Sequence, residues 1–307
     1  KHNTQLVLME NSSTVTDLIL LGMTENPQLG VLLFGVFLIV YIVTVLGNLG
    51  LVVLMRVSPC LHTPSMYFFF SNLSFIDLCY SSITVPKMLM GFFSGCQTIS
   101  FSGCVVQLAF FLFIALVATE CFLLVVMSYD IFIAICNLHY SNIMGCQLAG
   151  ASWIAGFLAP ILLVVHIFRL TFCAASEIDH FFCDLKPIMK LACTDTQVAE
   201  MTSFICTSLF ALGPFLLTLA SYTDIISTIL RIPSVTGKQF STCSSHLTVV
   251  SLYYGTLGIV CGFPSGPQNE DLLKLLSLLY TVLTPALNPI IYTLRNRDVK
   301  VALRKLV

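Results

Sequence analysis

The sequence predicts an all-α membrane protein: a bundle of seven transmembrane helices followed by a short C-terminal amphipathic helix. Three observations carry that expectation. Hydrophobic residues make up 57% of the 307 and charged ones only 9%, against about 25% charged in a soluble domain, which leaves too little polar surface to coat a water-soluble globule. Apolar runs of about 20 residues, the length that crosses a bilayer as a helix, recur along the whole chain. Basic residues are spread unequally between alternate connecting segments. A net charge of -1 provides no global field for nucleic acid, and no nucleic-acid partner is expected.

Residues 1–30 read as an outer tail. They are mixed and polar, without a basic segment followed by an apolar core, so no cleavable signal peptide is expected and the first span acts as its own insertion signal. Asn11-Ser12-Ser13 in this tail is an N-glycosylation acceptor. Asn72-Leu73-Ser74 has the same pattern but falls inside a span, where it stays unmodified. The spans are read at 31–55, 66–89, 102–128, 148–168, 200–230, 241–263 and 272–294, so the bundle occupies 31–294 and 295–307 form an inner C-terminal segment. With the C-terminus inside, the inner segments hold eight basic residues, Arg56, Arg231, Lys238, Arg295, Arg297, Lys300, Arg304 and Lys305. The outer segments hold six, Lys1, Lys87, Arg169, Lys186, Lys190 and Lys274. By the positive-inside rule the N-terminus is extracellular.

Cysteines concentrate the next signal. Cys104 opens span 3 on the outer side, and Cys173, Cys183 and Cys193 share the 27-residue loop 171–197. A loop of that length is floppy unless cross-linked, and closing 173 to 193 would remove about 3 kcal/mol of chain entropy. Four outer cysteines allow three pairings, and spacing alone does not choose between them. Cys79, Cys121, Cys136, Cys206 and Cys243 read as small buried hydrophobes. His180, Cys183 and Asp184 lack a fourth ligand, so no metal site is expected there.

Charged groups at bilayer depth are expensive and mark function by default. Asp77 in span 2 and Glu120 in span 3 have no Lys or Arg at matching depth. Three readings stay open: structural hydrogen bonding, a sodium-type cation with Asn48, Ser74 and Asn288 supplying further oxygens, and a proton relay. Pro285, Asn288 and Pro289 in span 7 interrupt the backbone ladder and permit a hinge. His246 in span 6 has no second His at helical spacing and reads as a satisfied core histidine. No HExxH, GxxxxGK or nucleophile elbow is present, so no enzyme and no organic cofactor are expected.

Short motifs then appear in order on these spans. They are Leu61-His62-Thr63-Pro64 with Met66-Tyr67-Phe68-Phe69 and Ser71-Asn72-Leu73-Ser74, and Met127-Ser128-Tyr129-Asp130 with Ala134-Ile135-Cys136-Asn137. Ser221-Tyr222, Phe240-Ser241-Thr242-Cys243-Ser244-Ser245-His246 and Pro285-Ala286-Leu287-Asn288-Pro289-Ile290-Ile291-Tyr292 complete the set. Across nearly the whole chain after Met9 the sequence resembles the olfactory receptor family of rhodopsin-like G-protein-coupled receptors. The resemblance implies disulfides Cys104 to Cys183 and Cys173 to Cys193, and matches Asp77 and Glu120 to the family's intramembrane acidic pair. It implies an odorant site among the outer halves of spans 3, 5, 6 and 7, here Phe111, Leu112, Ala115, Cys206, Phe210, Tyr254, Leu257, Cys261 and Thr281. That set is mostly apolar with a few hydroxyls and thiols, which suits a small, neutral, volatile ligand. The implied partners are such an odorant, a heterotrimeric G protein of the stimulatory olfactory type, and the plasma membrane bilayer. The implied switch residues are Asp130, the position now held by Ile131, Tyr222, Asn288, Pro289 and Tyr292.

The inner face departs from the family pattern. Ile131 follows Asp130 where the family has Arg, Asn137-Leu138-His139 lacks a Pro after the Asn, and Gln239-Phe240 lacks the preceding Lys-Ala. Ser65 is an extra residue in the first-loop motif, span 3 is about two residues longer between Cys104 and Glu120, and residues before Met9 differ from the family. The expected function is odorant reception with impaired coupling. A receptor-like protein that binds without signalling, and a transporter, are the alternatives; no repeat between the two halves supports the latter.

Overall fold

The computed structural model describes residues 17–21, 26–58, 65–94, 96–114, 117–135, 142–158, 161–172, 177–178, 180, 182–231, 237–262 and 270–306. Span 1 is α1 (Pro27–Val57), opened by Asn26, whose side chain accepts from the amide of Gln28 at 3.0 Å, with Pro27 in the first turn, where its missing N–H costs nothing. Span 2 is α2 (Ser65–Ser94). Span 3 comprises α3 (Phe101–Ile114) and α4 (Val117–Ile135), and span 4 comprises α5 (Asn142–Leu158) and α6 (Ile161–Phe168). The following loop carries the short helix α7 (Leu185–Lys190). Span 5 runs through α8 (Gln197–Thr207), a π-helical turn Ser208–Leu212 and α9 (Gly213–Arg231); span 6 is α10 (Gly237–Gly262). Span 7 runs through α11 (Glu270–Leu278), a π-helical turn Leu279–Leu283 and α12 (Thr284–Arg295), and α13 (Arg297–Leu306) closes the chain as the amphipathic helix.

By length and composition four stretches among the described residues can cross a membrane: Pro27–Val57, Tyr67–Phe92, Gln197–Thr228 and Lys274–Leu294. Their polarity is inverted relative to a soluble protein. Leu32, Ile39, Leu46, Leu209 and Leu216 are more than half exposed on the outside, whereas Asn48, Thr119, Ser128, His246 and Asn288 are fully enclosed. A surface of that kind is stable against lipid and not against water.

The two π turns have one cause. Pro214 and Pro285 have no amide hydrogen, so the carbonyls four residues earlier, those of Phe210 and Thr281, lose their α-helical donors. Each turn takes in an extra residue there and re-aims the side chains of the span.

Helices approach closely where a side chain is absent. A Cβ on Gly156 in α5 would collide with the Thr119 hydroxyl of α4 and lie 3.0 Å from the Thr119 Cα; one on Gly47 in α1 would meet Pro289 Cγ of α12 at 3.0 Å. Small residues that let backbones touch are a principal means of helix association in lipid. Beside the first contact, Trp153 Nε1 donates to Asn72 Oδ1 at 3.0 Å and clips span 4 to span 2.

Part of the tail read at 1–30 forms a strand. Strand β1 (Asp17–Leu21) pairs antiparallel with β2 (Cys96–Ser100) and parallel with β3 (Glu177–Ile178), in the order β2-β1-β3. Alternate residues of a strand share a face, and Leu18 and Leu20 bury themselves in one cluster with Cys104, Leu108, Ile178 and Cys183. The sheet roofs the outer ends of spans 3 and 4. Asn11 lies outside the described residues.

Gly156→Ala is expected to cost about 1–3 kcal/mol through overpacking against Thr119. Gly150→Ala, with nothing within 4 Å of the new methyl, should leave stability unchanged or slightly raised. Thermal melts of the purified protein in detergent check both; equal melts for the two variants would contradict the contact.

Candidate functional site

The outer lid is held by covalent and hydrogen-bonded ties. Cys104 and Cys183 are joined, with Cα atoms 5.5 Å apart. Cys193 is also disulfide-bonded; its amide donates to Thr171 O at 2.9 Å and its neighbour Ala192 bridges to Phe172, while Cys173 lies outside the described residues. Asp184 caps α7 by accepting from the amide of Leu185 at 2.7 Å. Phe182 is fully buried in a cluster with Val85, Met88, Leu89, Leu278 and Val282, and His180 meets it edge-on at 4.6 Å between ring centres. With Cys183 in a disulfide, the trio His180, Cys183 and Asp184 has lost its only thiolate.

Below the lid, the expected pocket residues divide. Phe210 sits in the π turn of span 5 and meets Phe122 of α4 edge-on, ring centres 6.2 Å apart. Tyr254 is buried and packs on Phe215 at 4.9 Å. Leu257 is half-buried against the central core and Cys206 is half-buried on α8. Thr281 is fully enclosed in the π turn of span 7, and its hydroxyl donates to Ser277 O at 2.6 Å, so its proton is committed within its own helix. Phe111 and Leu112 lie on α3 and Cys261 on α10, with side chains outside the described set; Ala115 is not described. Tyr253 meets Tyr254 edge-on with ring centres 5.4 Å apart, and neither it nor Phe122 nor Phe215 stands out in the sequence. Their signal was an aromatic at helical spacing, which an ordinary core residue gives equally.

Deeper in the bundle a polar cluster ties spans 1, 2, 3 and 7. Asn288 Nδ2 donates to Asp77 Oδ2 at 2.9 Å. Asn48 Nδ2 donates to Thr44 O and to Pro285 O, both at 3.0 Å, which uses a carbonyl of the kinked span as an anchor. The Asp77 and Glu120 carboxyls interact electrostatically. Within this cluster the oxygens without a hydrogen-bond partner are Asn48 Oδ1, Ser74 Oγ, Glu120 Oε1 and Asn288 Oδ1; the Thr119, Tyr254 and Tyr292 hydroxyls are further buried cases elsewhere in the bundle. Such orphans are rare in folded proteins. All five residues named for a cation site, Asp77, Glu120, Asn48, Ser74 and Asn288, are buried.

At the inner end, Asp130 is buried. Ile131 is 4% exposed and belongs to the same apolar cluster as Met127, Tyr222, Ile225 and Cys243. The Tyr222 hydroxyl shares a 2.6 Å hydrogen bond with His246 Nδ1 and donates to Cys243 O at 3.5 Å, joining spans 5 and 6. His246 is a core histidine partnered at Nδ1, while its buried Nε2 has no hydrogen-bond partner. Tyr292 is fully buried with its ring centre 4.2 Å from that of Phe70, and Pro289 faces Gly47.

With this geometry in place, one family profile, described as "Olfactory receptor", matches residues 37–307. The chain belongs to the olfactory receptor family. Olfactory receptor 10A7 of Homo sapiens is 48% identical over 98% of this chain and 96% of its own length. Olfactory receptor 2B6 of Mus musculus is 48% identical over 97% and 96% respectively. The crystal structure of squid rhodopsin superposes with a TM-score of 0.69 at 14% identity, covering 91% of this chain and 85% of that one, which identifies the seven-helix receptor fold. The olfactory receptor described here is a multi-pass plasma-membrane protein that detects odorants and signals through G proteins; it is not an enzyme.

In this receptor Tyr222→Phe leaves His246 Nδ1 buried without its partner, at a cost of about 1–3 kcal/mol. Tyr222→Phe combined with His246→Leu removes both polar groups and is expected to recover part of that loss. Melting temperatures of the unaltered receptor, of each single variant and of the double variant measure the coupling; purely additive losses would contradict it.

Proposed function

We propose that this olfactory receptor binds a small, neutral, volatile molecule among the outer halves of spans 3, 5, 6 and 7 and passes the signal inward to a G protein of the stimulatory olfactory type. In this reading the bundle spans 31–294 between an extracellular tail, glycosylated at Asn11, and a cytoplasmic segment from 295, and Cys173 pairs with Cys193. The observation that carries the ligand class is the surround of Phe210 and Tyr254. Phe210 meets Phe122, and Tyr254 meets Phe215 and Tyr253 ring to ring; an aromatic surround of this kind favours shape and dispersion over ion pairing.

A sodium ion at Asp77 and Glu120 fits the unpartnered oxygens of Asn48, Ser74, Glu120 and Asn288. It would supply positive charge where the sequence has none. The residues themselves hold spans 2 and 7 together through the Asn288 to Asp77 bond, and a ligand that favours another arrangement of span 7 acts against that bond.

Coupling is weak in this reading because Ile131 packs into the inner apolar cluster and offers the G protein no charge. The second reading is a receptor that binds without signalling. Ile131→Arg is expected to raise the cyclic AMP response of transfected cells to a panel of volatile alcohols, ketones and esters by about fivefold or more, at matched surface expression. A strong response from the unaltered chain that Arg does not increase would contradict weak coupling. Odorant binding with no cyclic AMP from either protein would favour the second reading.

A further inference from the structure

Gln107 lies on α3 one turn below Cys104 and is buried. Neither the ligand set nor the switch uses it. Its two amide ends reach in different directions: Oε1 accepts from the backbone amide of Cys183 at 3.3 Å, and Nε2 donates to the carbonyl of Ile83 on α2 at 3.4 Å. One side chain on span 3 therefore joins the disulfide loop to the backbone of span 2.

The point of attachment on span 2 matters. Ile83 stands three residues before Pro86, which lies inside α2 and leaves the Ser82 carbonyl without its helical donor. A helix is most easily bent at such a place. The lid touches this outer half of span 2 at two further places: Lys87 Nζ donates to Thr98 O of β2 at 3.3 Å, and Phe182 packs on Val85, Met88 and Leu89. Six residues further inward on the same helix is Asp77, whose carbonyl also accepts from the Ser81 hydroxyl at 2.7 Å.

We propose that Gln107 is a positioning residue that couples the disulfide-anchored lid to the bend of span 2, so that the lid and the outer half of the helix bearing Asp77 move as one unit. The amide group is the side chain suited to this, because it carries an acceptor and a donor on one rigid plane. A carboxylate keeps only the acceptor; an aliphatic chain keeps neither.

The test is hydrogen–deuterium exchange on the purified receptor in lipid nanodiscs, with no odorant added. Gln107→Leu is expected to speed exchange about tenfold both at 182–184 and at 83–88. Gln107→Glu is expected to keep 182–184 protected while speeding 83–88, which a merely space-filling role would not produce. Lys87→Met, which removes only the sheet-edge tie, should speed 96–100 and leave 182–184 unchanged. Should the Gln107 variants fail to fold, mild reduction of the Cys104–Cys183 bond in the unaltered receptor must speed exchange at 83–88, although no residue of span 2 has changed. Unchanged exchange at 83–88 after reduction, or identical patterns for the Leu and Glu variants, would overturn the proposal.

Discussion

A carboxyl group inside a bilayer has to be neutralised, paired or supplied with polar neighbours, because hydrocarbon does none of these. Asp77 and Glu120 meet that demand in a chain with no Lys or Arg between Arg56 and Lys87, and none between Lys87 and Arg169. Neutral groups on other helices supply part of the compensation. Asn288 reaches Asp77 from span 7, and Asn48 reaches Pro285 from span 1. The middle of the bundle is thereby drawn together by polar side chains, and the close approach of Gly47 to Pro289 follows from bringing spans 1 and 7 to that distance. Lipid offers little driving force for helix association, so this cluster and the small-residue contact at Gly156 set where the helices sit.

From that centre the two ends of the molecule differ in kind. The outer end is over-determined: a disulfide, a three-stranded sheet, a capped helix and the Gln107 amide all hold the lid over spans 2, 3 and 7. Among the described residues, the inner end is joined by apolar packing and by the Tyr222 hydroxyl, which bonds to His246 Nδ1 and to Cys243 O. A segment that moves during signalling is drawn from the less tightly held part of a fold. At the inner end Ile131 adds its side chain to the apolar cluster.

Much of this was legible in the residues. Apolar runs marked the four stretches that are long and apolar enough to cross a membrane among the described residues, Pro27–Val57, Tyr67–Phe92, Gln197–Thr228 and Lys274–Leu294, because length and hydropathy are what a bilayer selects. Asp77 and Glu120 announced themselves by their cost. Strand β1 did not, since Leu18 and Leu20 lie in a run of four apolar residues with no period that separates a strand from other structure, and its partners are distant loop segments. Pro214 and Pro285 signalled interruption without saying that the chain would take a π turn. Gln107 reads in sequence as an ordinary polar residue near the outer interface; only the fold shows that both ends of its amide are used. Thr281 was expected to present a hydroxyl to the pocket, and its proton is instead spent on Ser277.

The account stands or falls on whether the unpartnered oxygens around Asp77 and Glu120 are completed by a cation. The most direct measurement is the melting temperature of the purified receptor as sodium chloride replaces choline chloride at constant ionic strength. A ligand that binds only the folded state stabilises it by RT ln(1 + [L]/Kd). The unaltered receptor should melt progressively higher with sodium, and Asp77→Asn and Glu120→Gln should not respond. A flat curve for the unaltered receptor, or the same rise in Asp77→Asn, would contradict it.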